Sequence, residues 1–231
     1  MDYFFVTSGI NCPYGLISAT ERLNQTIGTI KSIKEKRPDA VIMILEGGKE
    51  PLSIDQRRKL DGYVIDFTSH PTIRFAHMQN VNSLYVKGPC ESLMIAEALL
   101  LVDTKEGDRI FKITGRQMLS DQFDYSKHDV KGKYVFKTKD GGVKYYGGDI
   151  NWIFTEFQYK TRLYSICGSL LDQAREDFAN IHRNIIDCYS HNSFIDIEHA
   201  TYRTLKPELV HEIAPVGLTG IQAENNEVIT E

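Results

Sequence analysis

Four short segments of small and polar residues could let a ligand reach the main chain. Each follows an apolar run, and they are Thr7-Ser8-Gly9, Glu46-Gly47-Gly48, Thr68-Ser69-His70 and Thr114-Gly115-Arg116. Small side chains leave room for a ligand to approach the backbone closely. The same residue types also form ordinary turns, so one segment alone does not decide between a turn and a site.

The four segments are separated by alternating strand-like and helix-like stretches. Short apolar runs predict buried strands at 3–7, 40–45, 63–67 and 109–114, and capping and periodicity predict helices near 20–36, 53–60 and 89–102. This alternation predicts an α/β domain with a mainly parallel, Rossmann-like central sheet. Ligands bind beyond the carboxyl ends of the strands in such sheets, so all four segments are expected on one binding edge.

The second half of the chain has a different character. Strands are predicted at 133–137 and 153–159, a long helix at 162–186 and a shorter one at 195–205. No linker divides the chain, so we expect one domain over 1–231, with a change near residue 120 and a flexible tail at 221–231. The apolar faces of the C-terminal helices could form a homodimer interface or simply cover the sheet.

Composition excludes several classes of protein. The chain has 231 residues, and 27 basic against 31 acidic residues give a net charge of −4, which argues against broad nucleic-acid binding. No apolar stretch approaches the ~18 residues of a transmembrane segment. The N-terminus lacks the basic region of a signal peptide, and the four cysteines are widely spaced. We therefore expect a cytoplasmic protein with reduced thiols.

Several of these segments resemble glycosyltransferases of the GT-A fold. The predicted first helix carries a Gln-Thr-Ile…Ser-Ile pattern within 22–33, and the second strand ends in Glu46-Gly-Gly. Lys87-Gly88 precedes a helix, and the strand at 109–114 stands where these enzymes lead into their DxD motif. The run Lys-Ile-Thr-Gly-Arg is similar to small bacterial and phage members that lack a clear DxD.

The resemblance implies that a sugar is moved from a UDP- or GDP-sugar donor to a carbohydrate or lipid-linked (glycolipid) acceptor. Residues 1–120 would then bind the nucleotide-sugar and 121–220 the acceptor. The expected nucleotide-binding residues are Thr7, Ser8, Gly9, Glu46, Lys87, Lys112, Gly115 and Arg116.

The sequence departs from the family at the position of the metal-binding carboxylates. Lys112 and Arg116 stand there, and a cationic pair can neutralise a leaving diphosphate without a metal. We therefore expect no required cofactor, with Mn²⁺ or Mg²⁺ as the alternative. If a metal is bound, its candidate ligands are Asp121, Asp196 and His199.

An inverting transferase also needs a base for the acceptor hydroxyl. The candidates, in order, are Asp149 after a Gly-Gly pair, Glu198 in the Asp-Ile-Glu-His run, and Glu156 in an aromatic-rich run. Two other readings stay open at this point: a nucleotidyltransferase that makes an activated sugar, and a non-catalytic Rossmann-like binding module. The loop at 8–15 holds no basic residue, which counts against the nucleotidyltransferase.

Overall fold

The computed structural model of the protein describes residues 1–14, 16–78, 83–142, 151–221 and 228–231. Its strands are β1 (Asp2–Ser8), β2 (Val41–Glu46), β3 (Tyr63–Asp66), β4 (Arg109–Thr114), β5 (Gln117–Leu119), β6 (Tyr134–Lys137), β7 (Asp140–Gly141), β8 (Asn151–Trp152), β9 (Phe157–Gln158), β10 (Leu163–Cys167), β11 (Ser193–Phe194), β12 (Val210–Ile213), β13 (Leu218–Ile221) and β14 (Val228–Thr230). Its α-helices are α1 (Ala19–Lys36), α2 (Ile54–Arg58), α3 (Pro71–Met78), α4 (Ser83–Leu100), α5 (Tyr125–His128), α6 (Leu171–Ser190) and α7 (Ile197–Thr204).

A seven-stranded sheet forms the centre of the fold, in the order β12-β6-β10-β4-β1-β2-β3. Strands β4, β1, β2 and β3 are mutually parallel, and β10 runs antiparallel to its neighbours β4 and β6. Because β12 is parallel to β6, six of the seven strands share one direction. The predicted α/β class, with a mainly parallel Rossmann-like central sheet and C-terminal helices, is confirmed.

Two apolar layers cover the faces of this sheet. On one face the buried side of α1, with Leu23, Ile30 and Ile33, packs against the outward side chains of β1 and β2. On the other face, apolar residues of α4 and α6 share a core with Phe5 of β1. Helix α1 begins as the sequence predicts, because the Ser18 hydroxyl accepts a hydrogen bond from the Glu21 amide at 3.2 Å. Both faces of the central sheet are therefore covered by packed helices.

The structure corrects three of the predictions about individual elements. Residues 163–167 form the inner strand β10 rather than the start of a helix at 162, and all five are buried. The mixture of aromatic and aliphatic side chains suits a strand buried on both faces. Helix α4 contains Pro89 in its interior instead of near its first turn. In the predicted flexible tail, β14 pairs with β13 and the Glu231 carbonyl accepts from Gly217 and Leu218, so 228–231 is ordered.

Among the described residues, no helix has the length and apolar character needed to cross a membrane.

Candidate active site

The four predicted segments lie at one edge of the sheet, because four parallel strands end side by side. In the register of the sheet, Thr7 lies opposite Thr114, Ser8 lies opposite Glu46, and Glu46 lies opposite Asp66. The chain turns away from the sheet after each of these residues. The four segments selected from the sequence therefore meet at one edge, as expected from a parallel sheet.

Glu46 organises the first loop at this edge. Its side chain is fully buried. One carboxylate oxygen accepts the Ile10 and Gly48 amides at 2.9 Å each, and the other accepts the Ser8 hydroxyl. Burial raises the pKa of Glu46 to about 7, although these hydrogen bonds oppose the rise. The prediction that Glu46 binds the nucleotide is revised, because the side chain is buried and both of its oxygens accept hydrogen bonds from the protein's own loop.

An open groove of about 620 Å³ lies beside this loop, lined by residues 11–13, 16–19, 49 and 50. Its floor is rigid on one side, since the Asn11 and Gln56 amides exchange hydrogen bonds at 3.1 and 2.8 Å. Gln56 also closes the capping box of α2 with Ser53. The groove is large enough for a nucleoside and opens at the carboxyl ends of β1 and β2.

Lys112 lies beneath the edge rather than on it. The side chain is 1% exposed, and the ammonium donates to the Glu91 carboxylate, to the Thr114 hydroxyl at 3.0 Å and to the Thr161 carbonyl. An ammonium has three N–H groups, so these three acceptors use them all. Burial lowers the pKa of Lys112, and Glu91 opposes that shift. The prediction that Lys112 binds phosphate is therefore revised to a structural role.

Two cations that the sequence selects, Lys87 and Arg116, lie near this edge. Lys87 on α4 is 43% exposed and forms an ion pair with Glu198 at 3.2 Å. Glu198 raises the pKa of Lys87, and the nearby Arg116 guanidinium acts in the opposite direction. Arg116 is half-buried directly after β4. Two positive side chains thus lie near each other where the sequence predicts phosphate binding, and their binding role stays a prediction.

Gly115 lies in a close-packed turn that favours a small residue. A Cβ at Gly115 would lie 3.1 Å from both the Thr26 hydroxyl and the Thr7 carbonyl. The Gly115 amide donates to that Thr7 carbonyl at 2.8 Å, and its own carbonyl accepts from Thr26 at 3.1 Å. The turn is thereby locked onto β1 and α1, which positions Arg116.

Glu198 and Asp196 lie at the start of α7, opposite Lys87. The Glu198 carboxylate is 14% exposed and also accepts the Thr161 hydroxyl at 3.1 Å. Burial favours its neutral form, but the Lys87 charge prevails and lowers the pKa of Glu198 to about 2. For Asp196, burial and the neighbouring Glu198 charge raise the pKa. The surroundings therefore shift the pKa values of the two carboxyl groups in opposite directions, downward for Glu198 and upward for Asp196.

His199 connects Asp196 to the loop before β9. The ring is 1% exposed, and its Nδ1 accepts the Thr155 amide at 3.1 Å. That contact places the proton of the neutral ring on Nε2, which lies 4.0 Å from an Asp196 oxygen and has no hydrogen-bond partner among the described residues. Asp196 also caps α7, since its other oxygen accepts the His199 amide at 2.8 Å.

Of the remaining predicted residues, those that the structure describes do not join this cluster. Asp149 lies outside the described residues. Glu156 is exposed just before β9. Asp121 is fully exposed and pairs with Lys36 of α1 at 2.9 Å, so it does not converge with Asp196 and His199. In the described part of the chain, no three His, Cys, Asp or Glu side chains converge as metal ligands.

Two residues of the site were not selected from the sequence. Glu91 lies four positions after Lys87, so both fall on one face of α4, and this spacing was a usable signal. Thr161 carries no signal of its own, because its importance comes from its two contacts, with Lys112 through its carbonyl and with Glu198 through its hydroxyl.

Comparisons with known proteins give likeness in structure only. No family model matches the chain, and no curated protein matches it. Among solved structures, it is similar to the galactosyltransferase LgtC in complex with donor and acceptor sugar analogues, at 11% identity and a TM-score of 0.49, covering 92% of this chain and 73% of that one.

Two further solved structures are also similar to this chain. One is 4-diphosphocytidyl-2C-methyl-D-erythritol synthase from Anaerococcus prevotii, at 15% identity and a TM-score of 0.42, covering 92% and 86% of the two chains. The other is a nucleoside-diphosphate-sugar pyrophosphorylase from Vibrio cholerae, at 11% identity and a TM-score of 0.47, covering 94% of each. At this level of similarity the likeness carries no argument about activity, which has to come from the site.

Proposed function

We propose that the protein is a glycosyltransferase that moves a sugar from a UDP- or GDP-sugar to a carbohydrate or lipid-linked acceptor. The observation that carries this proposal is the Lys87–Glu198 ion pair at one end of the sheet, with Arg116 and Asp196 close enough to act on its charges. Glycosyl transfer from a nucleotide-sugar needs both features, because a diphosphate leaves while an acceptor hydroxyl loses a proton.

The cations would act on the leaving group. As the bond between the sugar and the diphosphate breaks, negative charge grows on the phosphate oxygens. Arg116 can donate two parallel N–H groups to such oxygens, and Lys87 adds a mobile point charge. The groove beside residues 11–13 would hold the nucleoside, and the Glu46 contacts would keep its wall in place.

Asp196 is the better candidate for the acceptor base. A general base works best when its pKa lies near the working pH. Glu198, with a pKa of about 2, holds a proton too weakly, whereas burial moves the pKa of Asp196 upward. The neighbouring His199 contact at the start of α7 would hold the Asp196 carboxyl in place. The earlier ranking is therefore changed, with Asp196 ahead of Glu198 and Glu156.

The described residues do not fit the divalent cation that a DxD motif holds. Hard cations take several oxygen ligands, and Asp196 with His199 is a pair without a third member in the described ranges. Positive charge is already supplied by Lys87 and Arg116. We therefore propose transfer that needs no metal. The four cysteines are unpaired, which also suits the reducing, cytoplasmic setting expected from the sequence.

A thermal-shift panel separates the candidate functions. UDP, GDP and their sugar conjugates are tested with Mn²⁺ and with EDTA, beside nucleoside triphosphates. We expect stabilisation by one nucleoside diphosphate and its sugar conjugate in EDTA, because ligands that bind the native state raise its stability. No shift with any nucleotide would refute the proposal. A shift with triphosphates and not with nucleotide-sugars would favour the nucleotidyltransferase, and a shift only with Mn²⁺ would refute metal-free transfer.

A further inference from the structure

Glu198 forms an ion pair with the exposed Lys87 from the side of Lys87 that faces the protein interior. The distance from Lys87 Nζ to Glu198 Oε1 is 3.2 Å. The lysine side chain is 43% exposed, whereas the glutamate is 14% exposed. Solvent and ligands can therefore reach the ammonium, while the carboxylate reaches the same ammonium from the interior.

A buried network fixes the position of Glu198. Thr161 donates its hydroxyl to the Glu198 carboxylate at 3.1 Å and accepts Lys112 on its carbonyl. Lys112 is held in turn by the buried carboxylate of Glu91 on α4. Helix α4 carries both Lys87 and Glu91. The exposed Lys87–Glu198 pair and the buried Lys112–Glu91 pair therefore share this helix, and both pairs also contact Thr161.

The charges of this cluster do not cancel on its exposed side. Lys112 and Glu91 neutralise each other in the interior, which leaves Lys87 and Arg116 against Glu198. Lys160 and Asp196 also act on Glu198, with opposite signs. An entering diphosphate that reaches Lys87 meets an ammonium that is already bound to a carboxylate.

We propose that Glu198 is a resident counter-ion of the phosphate site, which a polyanionic ligand must displace from Lys87 before it binds. Glu198 thereby sets a charge threshold, so that a diphosphate is favoured over a monophosphate or a neutral nucleoside. The proposal refines the phosphate site of the proposed function, and it removes Glu198 from the candidates for the acceptor base.

Isothermal titration with ligands of increasing charge tests the proposal. Uridine, UMP, UDP and inorganic pyrophosphate are titrated into the wild-type protein, Glu198→Gln, Glu198→Asp and Glu106→Gln. Glu106 is exposed and paired with Lys131, so its change removes the same charge at an unrelated surface ion pair. We expect Glu198→Gln to bind UDP and pyrophosphate about tenfold tighter, UMP less so, and uridine with unchanged affinity.

The two control variants separate charge from shape. Glu198→Asp keeps the charge and is expected to gain less than about twofold, as is Glu106→Gln. In a Lys87→Met background, the gain from Glu198→Gln should fall below about threefold, because the contact it releases no longer exists. An equal gain in Glu198→Asp, or an undiminished gain without Lys87, would overturn the proposal.

The pyrophosphate titration keeps this proposal distinct from the proposed function. If wild-type protein binds no nucleotide but Glu198→Gln gains affinity for pyrophosphate, the counter-ion is supported and the glycosyltransferase proposal fails. If folded Glu198→Gln binds both pyrophosphate and UDP no tighter than wild type, the counter-ion proposal fails even where UDP binds. In that case, transfer lost at unchanged UDP affinity would return Glu198 to the role of base.

Discussion

The Glu46 carboxyl should make the stability of this protein fall as the pH rises from about 4.5 to about 7. Its pKa is raised in the folded state from 4.5 to about 7 by burial. In that window the unfolded chain releases the proton while the folded chain keeps it, so ionisation favours unfolding. At 1.36 kcal/mol per pKa unit, a rise of about 2.5 units corresponds to about 3 kcal/mol.

Glu46→Gln removes this titration without removing the contacts. The amide oxygen can still accept the Ile10 and Gly48 amides, and the NH₂ group can donate to the Ser8 hydroxyl. Free energies of unfolding are measured by urea denaturation at several pH values between 4.5 and 8, for wild type and variant. Subtracting the wild-type curve from the variant curve cancels the contributions that all other titrating groups make to the free energy of unfolding, because both proteins share those groups.

We expect the stability of Glu46→Gln relative to wild type to increase by about 3 kcal/mol across this range, and to be level above pH 8. A difference between the two proteins that stays constant from pH 4.5 to 8 would refute the raised pKa. A difference of opposite slope would mean that the loop amides hold Glu46 ionised, and that it does not act as a neutral buried acid.

Three further perturbations have defined outcomes. Arg116→Ala should weaken UDP binding by about tenfold or more and leave uridine binding unchanged in calorimetry, since only phosphate contacts are lost; equal losses for both ligands would exclude a phosphate role. Lys112→Met should cost about 3–5 kcal/mol in urea denaturation, because Glu91 is left buried and unpaired, and adding Glu91→Gln should restore part of that loss; no restoration would contradict the pairing. Burial lowers the pKa of His128 to about 4, so the stability that the neutral ring contributes above pH 6.5 should be lost as the pH falls toward 4. The free energy of unfolding of His128→Gln relative to wild type should therefore rise by up to about 3 kcal/mol from pH 6.5 to pH 4 in urea denaturation, and a constant difference would contradict the lowered pKa.

The sheet and its binding edge could be predicted because local patterns specify them. Apolar runs followed by small residues mark the ends of β1, β2 and β4, and parallel strands bring those ends together. The start of α1 could also be predicted, since Ser18 supplies the cap within the local sequence. These features need no knowledge of distant contacts.

The features that sequence reasoning missed depend on distant partners. Residues 163–167 suit either a helix or a strand, and pairing with β4 and β6 decides for a strand. Lys112 looks like a phosphate ligand until Glu91 and the Thr161 carbonyl are placed around it. Glu46 looks like a ligand-binding acid until the fold buries it and gives one of its oxygens two loop amides and the other the Ser8 hydroxyl. In each case the type of residue indicated polar chemistry, and the fold decided which partner it meets.

The most direct measurement is the release of UDP or GDP from a nucleotide-sugar in the presence of EDTA, followed by mass spectrometry with and without a carbohydrate acceptor. We expect wild-type protein to form free nucleoside diphosphate and an equal amount of transferred or hydrolysed sugar. Asp196→Asn should lose at least about a hundredfold in rate with unchanged affinity for the diphosphate. An intact donor after incubation of folded wild-type protein with each UDP- and GDP-sugar, in EDTA and in Mn²⁺, would contradict a glycosyltransferase.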